Sequence, residues 1–287
     1  MIQLKKLFTP VSSLEAEEAR AYIAGHPEGS FTLLDVRQPG EYEEEHIPGA
    51  RLIPLPQLHD SYKELDPEKP TLVYCAIGGR SRVAAQMLSG FDFTEVYNLA
   101  GGIKAFQGQK AIGPQELNLS LIRGDETQAE IIVLAYGMET GLKVFYDTLA
   151  AKTPDRELQE LFLKLARVEE QHQQRLAKLY RGAAPASQDL ATPVTSEMPQ
   201  IMEGGFDLGT FMEKNESFLQ KTADVLELAL MLETQALDLY LRLAQRSTQA
   251  PTRDILYSIA AEEKTHLASL GRLLEERLGG GPGATKN

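Results

Sequence analysis

The sequence has 287 residues, long enough for two domains with separate hydrophobic cores, and its single cysteine excludes an internal disulfide or a metal site built from several thiolates. The net charge of −12 and the isoelectric point near 5.0 argue against nucleic acid or an anionic membrane as a partner. Without an apolar run of membrane-spanning length or a signal-peptide core, we expect a soluble cytoplasmic protein.

Short β-rich runs alternate with helical segments in the first part of the chain. The runs at 31–36, 71–74 and 95–99 have the composition of strands, and the segments at 14–24 and 81–88 have helical periodicity. This alternation predicts an α/β domain with a mostly parallel sheet flanked by helices.

The only cysteine follows the central apolar run. Cys75 precedes Gly78 and Gly79, whose backbone freedom allows successive N–H groups to point inward as an anion-binding nest. The next helix adds the positive end of its dipole, and Arg80 adds a full charge. Together these features would lower the pKa of Cys75 below the usual value of about 8.5 and make it nucleophilic. A buried structural cysteine is the alternative, but the glycines and Arg80 favour the nucleophile.

Three stretches of this half match signature motifs of one family. They are Leu34-Asp35-Val36-Arg37 with His46-Ile47-Pro48-Gly49-Ala50, the loop Cys75-x-x-Gly78-x-Arg80-Ser81, and Asn98-Leu99-Ala100-Gly101-Gly102-Ile103. On these motifs, residues 31–106 resemble a single-domain rhodanese of the thiosulfate sulfurtransferase family. The resemblance implies that Cys75 carries sulfane sulfur as a persulfide, taken from thiosulfate, polysulfide or a thiol persulfide.

The resemblance also implies a role for each residue of the loop. Arg80 would act with Cys75 in catalysis. The remaining loop residues would bind the substrate: Ala76, Ile77, Gly78, Gly79 and Ser81. We expect Asp35, Arg37 and His46 to be structural or rim residues.

Only helical periodicity follows a divide near residues 107–125. We predict an α/β domain at 1–112 and an all-α four-helix bundle at 113–287, with helices near 125–151, 154–181, 216–246 and 252–277. Between the second and third helices lies a crossover linker at 182–209, rich in Pro, Ala, Ser and Thr.

One pattern occurs twice in this half, at an offset of 94 residues. Each copy has a Glu, a Tyr seven residues later, and a Glu-x-x-His pair; the copies are Glu139, Tyr146, Glu169 and His172, and Glu233, Tyr240, Glu263 and His266. All lie on apolar stripes with steps of three and four, so they face the bundle core. Two lone glutamates and two Glu-x-x-His pairs form the ligand set for two metal ions in such a bundle. Carboxylate and imidazole donors suit iron, manganese or a mixed pair.

Residues beside these ligands have weaker patterns. Tyr146 and Tyr240 lie about 10.5 Å along the helix from their glutamates, so each would support a glutamate of a neighbouring helix by hydrogen bonding. Ordinary core tyrosines are the alternative. Glu170, Glu262 and Lys264 fall off the apolar stripes and are predicted to be solvated.

On these motifs, residues 120–278 resemble the ferritin-like di-iron carboxylate proteins, and rubrerythrin most closely. The resemblance implies that Glu169 and Glu263 bridge the two metals, Glu139 and Glu233 bind one metal each, and His172 and His266 are terminal ligands. In two respects the chain departs from rubrerythrin. Leu230 stands where rubrerythrin has an extra glutamate, and one cysteine cannot form its cysteine-ligated iron domain.

The sequence therefore favours a sulfurtransferase coupled to a dinuclear metal redox site. One alternative is a rubrerythrin-like peroxidase or oxidase with an external electron donor, in which the rhodanese-like half donates persulfide or senses sulfur. Another is a sulfur sensor joined to an iron store. The sequence leaves a homodimer open.

Overall fold

The computed structural model describes residues 11–183, 201–215 and 221–279. The chain divides into two compact units, Met1–Leu117 and Asn118–Asn287, a boundary a few residues beyond the one predicted at 112. Each unit contains its own clusters of buried apolar side chains, and so each has a hydrophobic core of its own.

A parallel sheet forms the centre of the first unit. Its strands are β1 (Ser12–Leu14), β2 (Thr32–Asp35), β3 (Arg51–Leu52), β4 (Thr71–Tyr74) and β5 (Val96–Leu99). They lie in the order β1-β5-β4-β2-β3, so β4 is central and its four residues are buried. The three predicted strands are confirmed. The edge strands β1 and β3 have only three and two residues, too few to show an alternating pattern.

Helices cover both faces of this sheet. They are α1 (Ala16–Gly25), α2 (Pro39–Glu44), α3 (Leu58–Ser61), α4 (Gly79–Gly90) and α5 (Gly102–Ala105). Because successive strand side chains point to opposite faces, Leu72 packs in the cluster of α1 and α5, whereas Val73 packs in the cluster of α3 and α4. The predicted α/β fold class is confirmed.

Four long helices form the second unit, as predicted. Its elements are α6 (Gln128–Lys152), α7 (Arg156–Ala183), β6 (Ile201–Met202), β7 (Phe206–Asp207), α8 (Leu208–Asn215), α9 (Thr222–Arg246) and α10 (Ala250–Gly279). Helix α6 begins after Thr127 because Thr127 and Glu130 form a reciprocal capping box. Of the third predicted helix, residues 216–220 lie outside the described residues. Among the described helices, none is both long and apolar enough to cross a lipid bilayer.

Two apolar clusters fill the helical unit, and the predicted metal ligands lie between them. On α6, residues 131–138 belong to one cluster and residues 142–150 to the other, with Glu139 between them. On α9, Glu233 lies in the same way between Leu232 and Ala236. The two apolar clusters therefore enclose a polar layer across the middle of the bundle.

The crossover between α7 and α9 is partly regular. Strands β6 and β7 pair antiparallel, with Met202 opposite Phe206, and α8 follows directly. The predicted linker, 182–209, thus contains a small hairpin at its end. Its residues 184–200 lie outside the described part of the chain.

Candidate functional sites

Cys75 lies at the carboxyl end of β4, at the start of the loop that leads into α4. The residue is 1% exposed, and its sulfur accepts a hydrogen bond from the Gly78 backbone N–H at 3.2 Å. The Ser81 hydroxyl lies 3.4 Å from the sulfur and 2.7 Å from Asn98 Oδ1. Asn98 in turn donates from Nδ2 to Ser13 Oγ at 3.1 Å, which turns its oxygen towards Ser81.

The loop carbonyls are bound on the side of α5. The N–H of Ile103 donates to Cys75 O at 2.8 Å, and the N–H of Lys104 donates to Ala76 O at 3.2 Å. Gly102 has φ +60°, and a Cβ there would lie 2.3 Å from Cys75 O. A glycine at position 102 therefore allows α5 to approach the loop closely. The loop carbonyls point towards α5, and the N–H groups of Ile77, Gly78 and Ser81 donate to the Cys75 sulfur.

These donors decide the ionisation of the thiol. Burial acts to raise the pKa of Cys75, but hydrogen bonds from the Ser81 hydroxyl and from the Ser81, Ile77 and Gly78 N–H groups outweigh it and lower the pKa. The thiolate, which is the nucleophilic form, is thereby favoured. The predicted nest around Cys75 is present.

Arg80 contacts a residue that the sequence did not single out as its partner. Its guanidinium donates two hydrogen bonds to Glu41, at 2.6 and 2.7 Å. This pairing is the main reason that the pKa of Glu41 falls to about 2. The pKa of Arg80 is raised, mostly by Glu41 but also by the Cys75 thiolate, which places Arg80 within electrostatic reach of the sulfur. Part of its charge is thus balanced by Glu41.

Asp35, Arg37 and His46 are structural residues in the core of this unit. Arg37 donates to both carboxylate oxygens of Asp35, at 2.7 to 3.0 Å, and both residues are buried. His46 is 1% exposed and stacks on Tyr42 with ring centroids 3.7 Å apart. Both arrangements stabilise the loop between β2 and β3.

The helical unit gathers the six predicted ligands into two clusters. One cluster contains Glu139, Glu169 and His172, and the other contains Glu233, Glu263 and His266. In each, the histidine Nδ1 lies near both glutamates: 3.3 and 3.0 Å in the first, 3.5 and 2.9 Å in the second. The two imidazole rings stack with centroids 3.6 Å apart, so the clusters are adjacent.

A fifth acidic residue lies in the same layer, beside the four predicted glutamates, and was missed by the sequence analysis. Glu203, between β6 and β7, is 0% exposed and groups with Glu139 and Glu263, with one ligand atom of each within 4.8 Å of the others. Its only sequence signal was the adjacent pair Gly204-Gly205 in the crossover. The 94-residue repeat could not reveal it, since the position 94 residues earlier is Gln109.

These residues fit a pair of metal ions. Burial, followed by repulsion between the carboxylates, raises the pKa of Glu139, Glu203 and Glu263 well above 4.5. Within the described residues, both oxygens of Glu203 and one oxygen of Glu233 lack a hydrogen-bond partner. Buried carboxylates without donors are stabilised by cations, and the carboxylate and imidazole set suits iron or manganese.

The predicted supporting tyrosines lie close to the carboxylates. Tyr146 and Tyr240 are each 1% exposed, and burial and the nearby glutamates raise the pKa of both phenols well above 10.0. Tyr240 Oη makes no hydrogen bond within the described residues. The structure therefore does not show the predicted hydrogen bond from Tyr240 to a glutamate, and the support of a glutamate by Tyr146 stays a prediction.

The prediction that Glu262 is solvated was wrong. Glu262 is 8% exposed and forms an ion pair with Arg175 of α7 at 2.5 Å. Arg175 lies on another helix, 87 residues earlier in the sequence, so local periodicity could not predict the pair. Glu170 is exposed, as predicted.

Comparisons with known proteins cover both units. Residues 15–109 match the family model of the rhodanese-like domain, and residues 130–274 match the family model of rubrerythrin. Thiosulfate sulfurtransferase GlpE of Coxiella burnetii is 40% identical over 77 residues, covering 27% of this chain and 72% of that protein. The uncharacterized protein YqhL of Bacillus subtilis is 48% identical over 77 residues, covering 27% of this chain.

The fraction of each relative's length that this chain covers varies from one relative to another. The chain spans 61% of YqhL and 37% of the chloroplastic rhodanese-like/PpiC domain-containing protein 12 of Arabidopsis thaliana, which is 35% identical over 111 residues. Among solved structures, a rhodanese from E. coli with anions is 34% identical, with 29% of this chain and 98% of that chain covered and a TM-score of 0.26. A rhodanese-like domain protein from Staphylococcus aureus is 23% identical, with 36% and 98% covered and a TM-score of 0.33.

Proposed function

The chain belongs to the rhodanese-like family through its first unit and to the rubrerythrin family through its helical unit, and on that premise we propose that it is a sulfurtransferase with a dinuclear metal redox site. The sulfur carrier in this proposal is Cys75. The observation that supports it most directly is the ring of donors from Gly78, Ile77 and Ser81 around the Cys75 sulfur.

The proposed transfer has two steps. The Cys75 thiolate attacks the outer sulfur of a donor such as thiosulfate; a new S–S bond forms, the donor S–S bond breaks, and sulfite leaves with the electron pair. A thiolate of the acceptor then attacks the outer sulfur of the Cys75 persulfide, and Cys75 departs as thiolate. The loop N–H groups stabilise the negative charge at Cys75 throughout, and Arg80 attracts an anionic donor.

Mass spectrometry of the whole protein tests this role. Incubation with thiosulfate should add the mass of one sulfur atom on the peptide that contains Cys75, with release of sulfite. Cys75→Ser should show neither change, because a hydroxyl is far less nucleophilic at neutral pH and cannot hold a persulfide. Metal content should be unchanged in this variant. Undiminished sulfite release from Cys75→Ser would contradict the proposal, since the sequence contains no other cysteine.

The helical unit supports the second half of the proposal. Glu139, Glu169 and His172 would hold one ion, and their repeat counterparts would hold the other. Two iron or manganese ions bound there would supply one-electron redox chemistry with oxygen or peroxide. The apolar clusters on both sides of the polar layer exclude bulk water from it.

A second candidate function is a rubrerythrin-like peroxidase or oxidase in which the bundle performs the main reaction. The depth of the carboxylate layer favours it, because an isolated layer of this charge is costly unless it binds cations. Peroxide consumption with an external reductant, which supplies two electrons and two protons for two waters, should be measured for wild type and Cys75→Ser. Equal rates would show that the bundle works without the persulfide. A loss in Cys75→Ser would support coupling of the two units.

A further inference from the structure

In the described part of the crossover, Glu203 is the residue that groups with the candidate metal ligands of the bundle. We propose that Glu203 is a seventh metal ligand, supplied by the crossover and placed at the junction of the two clusters. This inference rests on the dinuclear site proposed above. It goes beyond the six ligands that the repeat provides, because Glu203 lies in the crossover and not on one of the four long helices.

The position of Glu203 relates it to both clusters. Its group contains Glu139, which belongs to the first cluster, and Glu263, which belongs to the second. One ligand atom of each of the three lies within 4.8 Å of the other two. A carboxylate has two oxygens, so a single side chain at this junction can contact one ion or both.

Within the described residues, Glu203 has no Arg, Lys or backbone N–H partner that would explain its burial. The residue is 0% exposed, and neither carboxylate oxygen has a hydrogen-bond partner within the described residues. A buried glutamate that serves only the fold is normally held by donors such as Arg, Lys or backbone N–H groups. The side chains grouped with it are instead the carboxylates of Glu139 and Glu263, and ionised carboxylates at this spacing repel one another unless cations lie between them.

The backbone on either side of Glu203 is held in a fixed position next to α6. On α6, Gly141 follows Glu139 by two residues, and a Cβ at Gly141 would lie 2.3 Å from Ile201 O. The crossover therefore lies directly on α6 beside the cluster. After Glu203, the chain turns through Gly204 (φ +72°) and Gly205 (φ +80°), and Asn118 Nδ2 donates to Gly204 O at 2.7 Å. Glu203 is thus held in place from both sides of the hairpin.

The crossover replaces a ligand that the helices lack. Leu230 is partly buried and packs against both apolar clusters, so that position of α9 offers no donor. With Glu203, the layer contains five carboxylates: Glu139, Glu169, Glu203, Glu233 and Glu263. Glu203 would therefore add one more carboxylate to the four that the repeat provides.

Manganese titration of the full-length, metal-free protein tests the role of Glu203. Mn²⁺ is used as the probe, followed by electron paramagnetic resonance and by competition with a chelator. Wild type should bind two ions per chain. Glu203→Gln should bind at least one of them tenfold or more weakly, because an anionic ligand becomes a neutral amide. Glu213→Gln, an exposed residue of the same crossover, should behave as wild type.

Thermal melting of the metal-free proteins separates ligation from a structural role. Glu203→Gln removes a charge from the carboxylate layer, so its metal-free melting temperature should equal or exceed that of wild type. A lower melting temperature with unchanged manganese affinity would show that Glu203 is structural and overturn the inference. Two ions bound equally by wild type and Glu203→Gln would also overturn it while leaving the dinuclear site intact. No binding by wild type would overturn both.

Discussion

The Ser81 hydroxyl lies between the Cys75 sulfur and Asn98 of the neighbouring strand β5. This hydroxyl reaches both Cys75 Sγ and Asn98 Oδ1, and it is the largest of the contributions that lower the pKa of Cys75. A thiol with a lowered pKa remains thiolate at lower pH and loses reactivity only when the pH falls through that pKa. Reactivity at Cys75 should therefore persist below the pH at which an ordinary thiol is protonated.

Ser81→Ala should raise the pKa of Cys75, so that Cys75 loses its reactivity at a higher pH than in the wild type. The rate at which iodoacetamide alkylates Cys75 should fall several-fold at pH 7 in this variant, while the rates at high pH, where both thiols are ionised, should converge. The measurement is unambiguous because the sequence has one cysteine. Ser89→Ala, farther along α4, is the control. A profile for Ser81→Ala that coincides with wild type would show that the backbone N–H groups alone set the thiolate.

We expect Arg80 to discriminate between sulfur donors by their charge. Arg80→Ala should weaken sulfur transfer from thiosulfate, an anion, by about tenfold, and transfer from a neutral donor much less. Because Glu41 already balances part of the Arg80 charge, the effect should be moderate. The exposed Arg82 of the same helix provides the matched control, Arg82→Ala. Equal losses with both kinds of donor would identify Arg80 as structural.

Helix α5 donates hydrogen bonds to the loop that contains Cys75, and the absence of a side chain at Gly102 allows the two to lie this close. Gly102→Ala should reduce sulfur transfer at least tenfold, because the left-handed backbone costs an L-residue about 1–2 kcal/mol and the new Cβ would meet Cys75 O at 2.3 Å. Gly40→Ala, where an added Cβ meets nothing within 4 Å, should retain full activity. Both variants should be compared at a temperature where melting shows them folded. Full activity in Gly102→Ala would mean that the loop does not depend on α5.

The elements differ in how far the sequence predicts them. Long amphipathic helices and buried strands were predicted because their periodicity is local. The six candidate metal ligands could be named from the sequence because the pattern that contains them occurs twice. Glu203 was missed because its approach to Glu139 depends on the crossover backbone lying at Gly141, which is a tertiary contact. Glu262 was predicted wrongly for a related reason, since its partner Arg175 is far away in sequence. Local sequence patterns therefore predict the candidate ligands on the helices, whereas a residue such as Glu203 can be found only from the tertiary structure.

At the scale of the whole molecule, the two units should respond differently to metal removal. Chelation leaves the carboxylate layer without cations, so the helical unit should lose stability near neutral pH, whereas the first unit has its own core and should be indifferent. Hydrogen exchange followed by mass spectrometry locates protection in each unit separately. Glu263→Ala should mimic chelation, and Glu170→Ala should not. Equal protection of the helical unit with and without chelator, in a sample shown to contain metal, would contradict the prediction.

The sign of the pH effect on the metal-free protein follows from the raised carboxyl pKa values. In the folded, metal-free chain the pKa of Glu139, Glu203 and Glu263 lies above 4.5, so the folded state binds more protons than the unfolded state at pH values above 4.5. Stability should therefore fall as the pH rises from about 4.5 towards neutrality. Metal-free wild type should melt at a higher temperature at pH 5.5 than at pH 7.5. The reverse order would show that these carboxyls are ionised or hydrated in the metal-free fold.

The Glu203 hairpin also removes an equivalence that the helices would otherwise impose. The repeat gives each half of the bundle the same residues at the same spacing, which by itself describes two interchangeable positions. Glu203 has no twin at the 94-residue offset, where Gln109 stands in the other unit. Because Glu203 has no counterpart in the repeat, the two candidate metal positions are no longer equivalent. Two ions bound there would be distinguishable, and we expect them to differ in the order in which they load, exchange and change oxidation state.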